Sequence, residues 1–459
     1  MSYETAVEQM YALGHELAQT PARKFDLAHM RVLLTAMGNP ERHFPSVLIA
    51  GTNGKGSTAA TLACMLQASG LKTGLYTSPH LIQINERIRL NGRPISDQDF
   101  AQLHDLVDRA AGRLVLDGQL PWHPSFFEML TAMAFEYFAR GRPDMVVLEV
   151  GMGGRLDATN VVEPRLSIIT DVALDHQKYL GETVGEIARE KAGIIRPGGV
   201  VVTLPQLPEA NDVIGNAILD ADARAVNAVP YVPPVSPGSA SSLSDDKSSH
   251  DRGQADIRNS YPLEVMGTQI MVESPLVGRH QLRNLALAIA AAVELHNQGI
   301  VQITPASIEQ GIRKTKWPGR FQVIPATSDR PECVLDVAHN PAGAWALRST
   351  LSNVYQDRRS ITLVFGVMRD KAMQEITEIL FPIAEHVIVT HANNPRSASA
   401  DEIRQAAARV VGGTKIEEAA DVASALHQAR TVAGTSGLVV VTGSIYIAGE
   451  AMRILGIRI

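Results

Sequence analysis

A short apolar run that breaks into a glycine-rich turn constrains the fold of this chain more than any other feature. Residues 47–50 are apolar and predict a buried strand, and residues 51–57, GTNGKGS, open a helix that should run to about Ser69. Glycines let backbone N–H groups approach an anion, the helix N-terminus adds its positive dipole end, and Lys55 supplies a point charge. The stretch therefore predicts a phosphate-binding site for a nucleotide triphosphate.

The spacing of this loop departs from the common phosphate-loop pattern, G-x-x-x-x-G-K-[ST]. Ile49 stands where the first glycine belongs, and Gly56 follows the lysine in place of a serine or threonine. A turn that uses glycines for geometry alone is the alternative, but a lysine among three glycines has little structural purpose there. If magnesium is bound, its hydroxyl ligand must come from elsewhere, and Ser57 and Ser78 are the candidates.

Length and composition favour a two-domain protein of the cytoplasm. A chain of 459 residues exceeds what one core usually serves, and its net charge of −6 disfavours nucleic acid or an anionic membrane as partner. Cys64 and Cys333 have no metal-binding spacing, which indicates a reducing compartment. Glu4 and Glu8 in an amphipathic N-terminal segment do not resemble a signal peptide, and residues 285–293, the longest apolar run, are too short to span a bilayer.

Strand and helix patterns alternate in two regions, which predicts two doubly wound α/β domains. The expected boundaries are 1–316 for a P-loop-type ATPase domain and 317–459 for a smaller Rossmann-like domain, because a Trp-Pro-Gly-Arg sequence interrupts the pattern at the joint. No glycine-rich phosphate loop recurs in the second region. Residues 232–259 are rich in Pro, Ser, Asp and Gly, and predict a mobile surface insertion.

Glu149 is an acid near the end of a predicted buried strand, residues 145–150. A carboxylate is costly in that position unless it is paired, hydrogen-bonded or bound to a metal. Magnesium is the usual partner of such an acid beside a phosphate loop, and an ion pair with Arg155 is the structural alternative.

The next predicted strand, residues 166–170, delivers Asp171, Asp175 and His176 to its C-terminal end. Ligands bind at that edge of doubly wound sheets, so these side chains are expected to converge with the phosphate loop and the buried acid. His176 alone would more often be a structural histidine. Beside two acids at a strand end, a metal or phosphate role is favoured.

Lys191 lies in the middle of the apolar face of a helix that Thr183 and Glu186 open with capping-box spacing. A lysine in that position must extend to the rim, form a pair or lose its charge, and a neutral amine can be covalently modified. Extension to the rim is the alternative without function.

Nine motifs stand in one order over nearly the whole chain: GTNGKGS, TSPHL, EVGMGGRLDATN, LDHQKYLG, EKAGI, RHQLRN, WPGRF, DVAHNP and TGSIY. Together they resemble the folylpolyglutamate synthase/dihydrofolate synthase family, within the ATP-dependent amide ligases that include the Mur enzymes. The Mur enzymes are similar in the phosphate loop, but not in TSPHL or GGRLDATN.

The resemblance implies roles for the residues of a nucleotide site that binds ATP with Mg2+, and it also allows K+. The implied nucleotide contacts are Asn53, Gly54, Lys55, Gly56, Ser57, Asn284, Arg320 and Asp336, and the implied metal ligands are Ser78, Glu149 and His176. Lys191 matches a position that is carbamylated in the family, where the carbamate helps to hold magnesium. With Lys55 and Lys191, the implied catalytic set includes His339.

The resemblance also implies two substrate sites. Glutamate would contact Arg87, His339 and Ser444, and the pterin substrate would contact Phe25, Asp26, Leu27, Ser125, Phe126, Phe127, Glu128, Leu156, Asp157 and Ala158. This chain departs from common family patterns in the pterin segments and in Ala342, which follows HNP.

The implied activity is an ATP-dependent ligase that adds L-glutamate to dihydropteroate, to folates or to both, by way of an acyl phosphate. The implied partners are small molecules, and the expected state is a monomer. The alternatives are folylpolyglutamate extension alone, a Mur-type ligase, and a nucleotide-controlled binding protein without ligase activity.

Overall fold

The computed structural model describes residues 1–14, 27–234, 257–355, 360–410 and 414–457. Most of the insertion predicted at 232–259 lies outside these ranges. The chain forms two compact units, the first made mainly of Met1–Pro233 and Arg283–Thr315, the second mainly of the chain from Lys316 onward. Residues 257–282 are divided between both units, so the domain boundary predicted after residue 316 stays a prediction.

The first unit contains an eight-stranded sheet whose central strands are parallel. Its strands are β1 Ser46–Ala50, β2 Thr73–Tyr76, β3 Ile88–Leu90, β4 Arg93–Pro94, β5 Met145–Glu149, β6 Leu166–Ile169, β7 Val200–Thr203 and β8 Arg224–Asn227. They lie in the order β4-β3-β2-β5-β1-β6-β7-β8, with β3 and β4 antiparallel at one edge. Every residue of β1, β5 and β6 is buried, as their apolar runs predict.

Helices pack with this sheet, and several of them share one large apolar core. They are α1 Tyr3–Ala12, α2 Leu27–Ala36, α3 Lys55–Ala68, α4 Asp97–Leu116, α5 Phe126–Gly141, α6 Gln177–Leu180, α7 Val184–Ala192, α8 Pro208–Asp220, α9 Arg279–Asn297 and α10 Pro305–Lys314. Between α8 and α9, β9 Asn259–Val265 and β10 Thr268–Ser274 form a separate two-stranded sheet. Within the described ranges, no helix combines the length and the apolar character that crossing a membrane requires.

The topology of the first sheet places the glycine-rich loop at its topological switch point, where the chain connections from neighbouring strands run in opposite directions along the sheet. β1 lies between β5 and β6 and is parallel to both, with Ile49 opposite Glu149 and Ala50 opposite Ile169. The loop that follows β1 therefore begins level with the carboxyl ends of its two neighbours. In open α/β sheets this is the position at which ligands bind.

The second unit contains a six-stranded sheet with helices packed on it around a core of its own. The elements are β11 Gln322–Ile324, β12 Glu332–Leu335, α11 Pro341–Val354, β13 Ile361–Phe365, α12 Met373–Leu380, β14 His386–Val389, α13 Ala400–Ala406, β15 Lys415–Glu418, α14 Val422–Ala433, β16 Leu438–Thr442 and α15 Ile445–Ile454. The order is β11-β12-β16-β13-β14-β15, with only β11 antiparallel to its neighbour. These two sheets confirm the predicted α/β class.

Candidate functional site

The glycine-rich loop between β1 and α3 is closely packed and needs its glycines. A Cβ atom on Gly51 would come within 1.8 Å of Thr170 Oγ1, and one on Gly54, whose φ is +90°, within 2.1 Å of Asn284 Oδ1. Gly54 is the N-cap of α3 and has no side chain to cap the first turn, which starts at Lys55. The start of α3 therefore presents backbone N–H groups of the kind that bind anions.

Lys55 lies against its own loop. Its ammonium group donates to the carbonyl oxygen of Gly51 (3.0 Å) and to that of Thr52 (3.2 Å). The side chain is thus held at the loop by local contacts, and its positive charge lies beside the N-terminus of α3. This is the charge arrangement that the sequence predicts for phosphate binding.

Lys191 is buried on α7, with 3% of its surface exposed, and its Nζ donates to the carbonyl oxygen of Gly51 (2.9 Å). Two lysine side chains, Lys55 and Lys191, therefore contact one carbonyl oxygen, and the alternative in which Lys191 extends to the rim is wrong. Burial and the nearby charge of Lys55 lower the pKa of Lys191 to about 7, although Asp175 and Asp157 oppose the change. A lysine of this pKa is half neutral at neutral pH.

Glu149 ends β5 with only 4% of its surface exposed, and its Oε2 accepts a hydrogen bond from the backbone N–H of Ser78 (3.0 Å). Ser78 follows β2, and its peptide bond with Pro79 is cis. Arg155 pairs with Glu190 (Nη2–Oε1 2.8 Å), so the alternative of an ion pair between Arg155 and Glu149 is wrong. The structure thus joins two of the three predicted metal ligands by one hydrogen bond.

His176, the third predicted metal ligand, stands at the N-cap of α6 with a φ of +52°. Its backbone N–H donates to Asp175 Oδ1 (2.8 Å), and its Nε2 lies 4.0 Å from the same oxygen. Over the described ranges, no group of three or more His, Cys, Asp or Glu side chains is arranged to hold a metal ion. A shared site for His176, Ser78 and Glu149 stays a prediction.

Asp157 organises the loop that follows β5. Its buried carboxylate accepts hydrogen bonds from the backbone N–H of Met152 (3.0 Å) and from the N–H (3.0 Å) and hydroxyl (2.6 Å) of Thr159. Burial raises the pKa of Asp157, although these hydrogen bonds lower it in part. In the same loop Leu156 is half-buried and Ala158 is buried. The loop therefore has a defined shape, while pterin binding by its residues stays a prediction.

Arg87 belongs to an aromatic cluster in the first unit. It is buried, its Nε donates to His80 Nδ1 (2.8 Å), and its guanidinium carbon lies 5.3 Å from the ring centre of Phe126. The Tyr11 ring stacks on Phe126 (5.9 Å), and its hydroxyl is 3.2 Å from His80 Nε2. The structure therefore places Arg87, predicted for glutamate, next to Phe126, predicted for the pterin.

The start of α5 is fixed by a capping box. The backbone N–H of Ser125 donates to Glu128 Oε2 (2.8 Å), and the Ser125 hydroxyl accepts from the N–H of Glu128. Glu128 Oε1 also lies 3.3 Å from Nδ1 of the buried His29. Burial raises the pKa of Glu128, but hydrogen bonds from His29 and Ser125 outweigh it, and the pKa lies below its ordinary value.

The other residues predicted for the pterin are spread over three positions. Phe127 packs against Gly151, where an added Cβ would come within 2.5 Å of the phenyl ring. Leu27 is the first residue of α2 and is half-buried. Phe25 and Asp26 lie outside the described residues.

In the second unit, Asp336 follows β12 and is held by its neighbours. Its carboxylate accepts from the backbone N–H groups of Phe321 and Ala338, both at 2.8 Å. Burial raises the pKa of Asp336, and the nearby charges of Arg320 and His339 oppose this. Two predicted nucleotide residues, Arg320 and Asp336, thus influence each other electrostatically.

The loops after β12 and β16 meet at the carboxyl edge of the second sheet. The backbone N–H of Gly443 donates to the carbonyl oxygen of Ala338 (3.1 Å). His339 Nδ1 is 2.9 Å from the carbonyl oxygen of Val337, which makes Nδ1 the donor, and Ser444 caps α15 through the N–H of Ile447 (3.2 Å). His339 and Ser444, both predicted for glutamate, therefore lie on two adjoining loops.

Sequence reasoning gave no role to several residues that position the site. Asn160 Nδ2 donates to the carbonyl oxygens of Arg155 and Gly193, each at 3.0 Å, and so ties the loop after β5 to the end of α7. Arg283 pairs with Asp171, whose side chain was expected to converge with the phosphate loop. Asn160 closes a conspicuous motif and Arg283 lies within another, and that membership is the signal that could have drawn attention to them.

Two family models match the chain in sequence. The Mur ligase middle domain matches residues 128–292, and the Mur ligase glutamate ligase domain matches residues 319–445. The first region contains Glu149, Lys191 and Asn284, and the second contains Arg320 and His339. Candidate residues of both units therefore fall within matched regions.

Individual proteins are similar over almost the full length. The dihydrofolate synthase/folylpolyglutamate synthase of Bacillus subtilis is 34% identical over 93% of this chain and 94% of its own, and that of Mycobacterium tuberculosis is 31% identical over 98% and 94%. A solved structure of Mycobacterium tuberculosis folylpolyglutamate synthase complexed with ADP and AMPPCP has a TM-score of 0.82 at 31% identity, covering 99% of both chains. Escherichia coli FolC in complex with DHPP and ADP has a TM-score of 0.81 at 26% identity, covering 99% of this chain and 98% of that one.

Proposed function

This chain belongs to the folylpolyglutamate synthase/dihydrofolate synthase family of the Mur ligase superfamily, and from that premise we propose that it adds L-glutamate to both dihydropteroate and reduced folates at the expense of ATP. The observation that carries the proposal is the phosphate loop on which Lys55 and Lys191 contact one carbonyl oxygen. A loop of this kind at the switch point of a parallel sheet suits a nucleotide whose terminal phosphate is transferred.

The phosphates of ATP would bind at the N-terminus of α3. Gly54, Lys55, Gly56 and Ser57 would supply backbone N–H groups and the lysine charge there, and Asn284 packs its side chain against Gly54. Asn53 is proposed as a further contact on the resemblance to the family, since its own N–H donates to the carbonyl oxygen of Asp171. Arg320 and Asp336 are proposed for the rest of the nucleotide, with the Asp336 carboxylate for the ribose. Support for assigning Arg320 and Asp336 together comes from the family and from the charge of Arg320, which acts on the Asp336 carboxylate.

The residues around Glu149 fit Mg2+. The buried carboxylate lies one hydrogen bond from Ser78, whose hydroxyl is a second oxygen donor, and Mg2+ prefers oxygen ligands. We assign Ser78, Glu149 and His176 to this ion. When bound, Mg2+ would offset the negative charge of the phosphates and of the transferring phosphoryl group.

Lys191 is proposed to carry a carbamate. Its buried Nζ, which is partly neutral at neutral pH, can attack carbon dioxide, so that an N–C bond forms and one proton is released. The product is an anion in place of a cation, and it would add a further oxygen donor for Mg2+. It would also remove the repulsion between two lysines at one carbonyl oxygen.

The reaction follows from the poor reactivity of a carboxylate toward an amine. The carboxylate of the acceptor attacks the γ-phosphorus of ATP, which breaks the bond to the bridging oxygen, releases ADP and leaves an acyl phosphate. The neutral amine of L-glutamate then attacks the acyl carbon and expels phosphate. Because both reactants of the first step are anions, the contribution of Lys55 is electrostatic and positional.

The two organic substrates are assigned to separate groups of residues. Arg87, His339 and Ser444 are proposed for the carboxylates of L-glutamate, and His339 presents its Nε2 because Nδ1 donates to Val337. The pterin is proposed to bind Leu27, the start of α5 from Ser125 to Glu128 and the loop at Leu156, Asp157 and Ala158, with Phe25 and Asp26 retained from the sequence.

The proposal is tested by ADP release from the purified protein with ATP, Mg2+ and L-glutamate. Parallel reactions contain dihydropteroate, a reduced folate monoglutamate or no acceptor, and mass spectrometry follows the acceptor. ADP release with both acceptors and a gain of one glutamyl unit in each is the expected result. A Lys55→Ala variant serves as the inactive control, because it lacks the charge at the phosphate loop.

Other results identify the alternatives. ADP release with the folate alone would restrict the enzyme to polyglutamate extension. Release with neither acceptor would contradict the proposal and favour a Mur-type substrate or a nucleotide-controlled switch, and nucleotide binding without turnover would indicate the switch. Action in the cytoplasm, as a monomer, remains a prediction.

A further inference from the structure

The phosphate loop is tied to the segment after β6 by its first two residues. The backbone N–H groups of Thr52 and Asn53 both donate to the carbonyl oxygen of Asp171, at 2.8 Å and 3.2 Å. The Thr52 hydroxyl donates to the carbonyl oxygen of Ala173 (2.9 Å) and accepts from its N–H (3.1 Å). The conformation of the loop therefore depends on where Asp171 lies.

Arg283 of α9 fixes the position of Asp171 in turn. Its Nη2 and Nε donate to Asp171 Oδ1 at 2.6 Å and 2.9 Å, and Nε also lies 3.1 Å from Oδ2. Nη2 further donates to the carbonyl oxygen of Pro205 (2.8 Å), beyond the end of β7. Each side chain of the pair is 33% exposed, and a guanidinium with several bonds to one carboxylate holds its direction as well as its distance.

The next residue of α9 acts on the opposite end of the same loop. Asn284 packs its amide against Gly54, where an added Cβ would clash, and its carbonyl oxygen lies 3.4 Å from the Thr58 hydroxyl of α3. Two consecutive residues of α9 thus hold the two ends of the loop.

We propose that Arg283 is a positioning residue for nucleotide binding. By fixing Asp171, it sets the carbonyl oxygen that orients the first two N–H groups of the loop and hence those at the start of α3. The inference rests on the proposed function, since it assumes that the loop binds the phosphates of ATP. Arg283 acts through Asp171, without contact to the nucleotide.

A second arginine–carboxylate pair also attaches α9 to the first unit. Breaking that pair shows whether an effect on nucleotide binding comes from the position of Asp171 or only from weaker packing of α9. Arg224 of β8 donates through both terminal nitrogens to Glu294, a residue of α9 with 4% of its surface exposed. This pair also ties α9 to the sheet of the first unit but makes no contact with Asp171 or the phosphate loop among the contacts described. Arg224→Gln is therefore the matched control.

The test measures the Kd for Mg-ADP and for a non-hydrolysable ATP analogue by titration calorimetry in the full-length protein. The variants are Arg283→Gln, Asp171→Asn, their double mutant, Arg283→Lys and Arg224→Gln, with thermal unfolding recorded for each. Either single change at the pair should raise Kd about tenfold, a loss equal to that of one charge-assisted hydrogen bond. The double mutant should be no worse than the single ones, because both remove one interaction.

Steady-state kinetics distinguish a positioning role from a merely structural one, because a structural role would leave KM for ATP unchanged. Misplaced N–H groups weaken binding of the nucleotide, so KM for ATP should rise about tenfold in Arg283→Gln while KM for L-glutamate stays unchanged. Loss of folded enzyme would instead lower kcat at unchanged KM. Arg283→Lys should recover part of the ATP affinity, because it keeps the charge without the two-pronged geometry.

Three results would overturn the inference. Wild-type Kd in Arg283→Gln would show that the pair does not position the loop. An increase in Arg283→Gln with no change in Asp171→Asn would mean that Arg283 contacts the nucleotide directly, and an equal increase in Arg224→Gln would reduce its role to docking of α9. Failure of the wild-type protein to bind either nucleotide would contradict the proposed function itself, and is seen before any variant is made.

Discussion

The carboxyl edges of the two sheets hold polar residues in similar positions but with different partners. After β1, a glycine-rich loop has two lysine side chains on one carbonyl oxygen, and the buried acid next to it, Glu149, accepts from a backbone N–H of another loop. After β12, the half-buried acid Asp336 accepts from the backbone N–H groups of Phe321 and Ala338. Both acids lie at the carboxyl ends of strands that have a parallel neighbour, so strand direction alone does not distinguish the two edges.

The difference teaches that the chemistry of each edge comes from its charge balance. In the first unit the environment disfavours a positive charge, since burial and Lys55 lower the pKa of Lys191. In the second unit the environment disfavours a negative charge, since burial raises the pKa of Asp336. We therefore expect the first edge to respond to changes in phosphate and metal chemistry, and the second to changes in nucleotide binding.

Lys191→Ala should have the largest effect, a loss of kcat of about a thousandfold, the upper range for removal of one electrostatic group from an active site. The reason is that the carbamate and its charge at the phosphate loop are both lost. Short carboxylic acids such as acetate should restore part of the activity of this variant, because they supply the missing carboxylate.

The control for Lys191→Ala is Lys314→Ala, which removes an exposed lysine of α10 and should leave ADP release unchanged. Full activity of Lys191→Ala without added acid would refute the carbamate. Loss of activity without rescue, in a protein that still binds nucleotide, would also argue against it and in favour of a role for the amine itself.

The two acids, Glu149 and Asp336, should respond differently in a titration of activity against Mg2+ concentration. Glu149→Gln keeps an oxygen to accept from Ser78 and should raise the Mg2+ concentration for half-maximal activity by about 10- to 100-fold, as loss of a metal-site group does. Asp336→Asn should raise KM for ATP about tenfold, the cost of one hydrogen bond to a charged group, with no change in the Mg2+ requirement. A shift of the Mg2+ requirement in both variants would remove the distinction between the two edges.

Lys191 should also make stability depend on pH. Its native pKa of about 7 lies below its unfolded value of 10.5, so the unfolded chain binds more protons between these values and stability rises with pH there. Relative to Lys191→Met, wild-type protein should gain about 2 kcal/mol of unfolding free energy between pH 7 and pH 9. Denaturant unfolding in buffer free of carbon dioxide measures it.

Added bicarbonate offers an independent reading of the same group. It should stabilise wild-type protein further at pH 8, since carbamylation removes neutral amine from the equilibrium, and should leave Lys191→Met unaffected. A constant stability difference between the two proteins from pH 7 to pH 9 would show that the amine does not titrate in this range.

Much of the fold was predictable because the deciding information is local. The apolar runs at residues 47–50, 145–150 and 166–170 marked β1, β5 and β6 to within one residue at each end. The charged residues Glu149 and Lys191 stood out because they interrupt apolar patterns. β15 carries no such signal, because its residues, Lys415–Glu418, are mostly polar and exposed and no hydrophobic pattern marks this edge strand.

The parts of the site that escaped prediction depend on contacts distant in sequence. Asp171 and Arg283 are 112 residues apart, and neither has an unusual neighbourhood in the sequence that would reveal the other. The pairing of Arg87 with His80 is closer, at seven residues, but needs the loop after β2 to fold back. Charges at strand ends can therefore be identified from sequence, whereas their partners require the tertiary structure.

The smallest expected effects come from two helix caps, one in each unit. Thr183 caps α7 by accepting from the N–H of Glu186 (3.2 Å), and Ser399 caps α13 by accepting from the N–H of Glu402 (3.2 Å). Thr183→Ala and Ser399→Ala should each cost about 1 kcal/mol of unfolding free energy, measured by denaturant titration, and change ADP release by less than about twofold. The helix α7 carries Lys191. If the two variants lose equal stability but only Thr183→Ala loses much activity, the carboxyl edge of the first sheet tolerates less movement than that of the second.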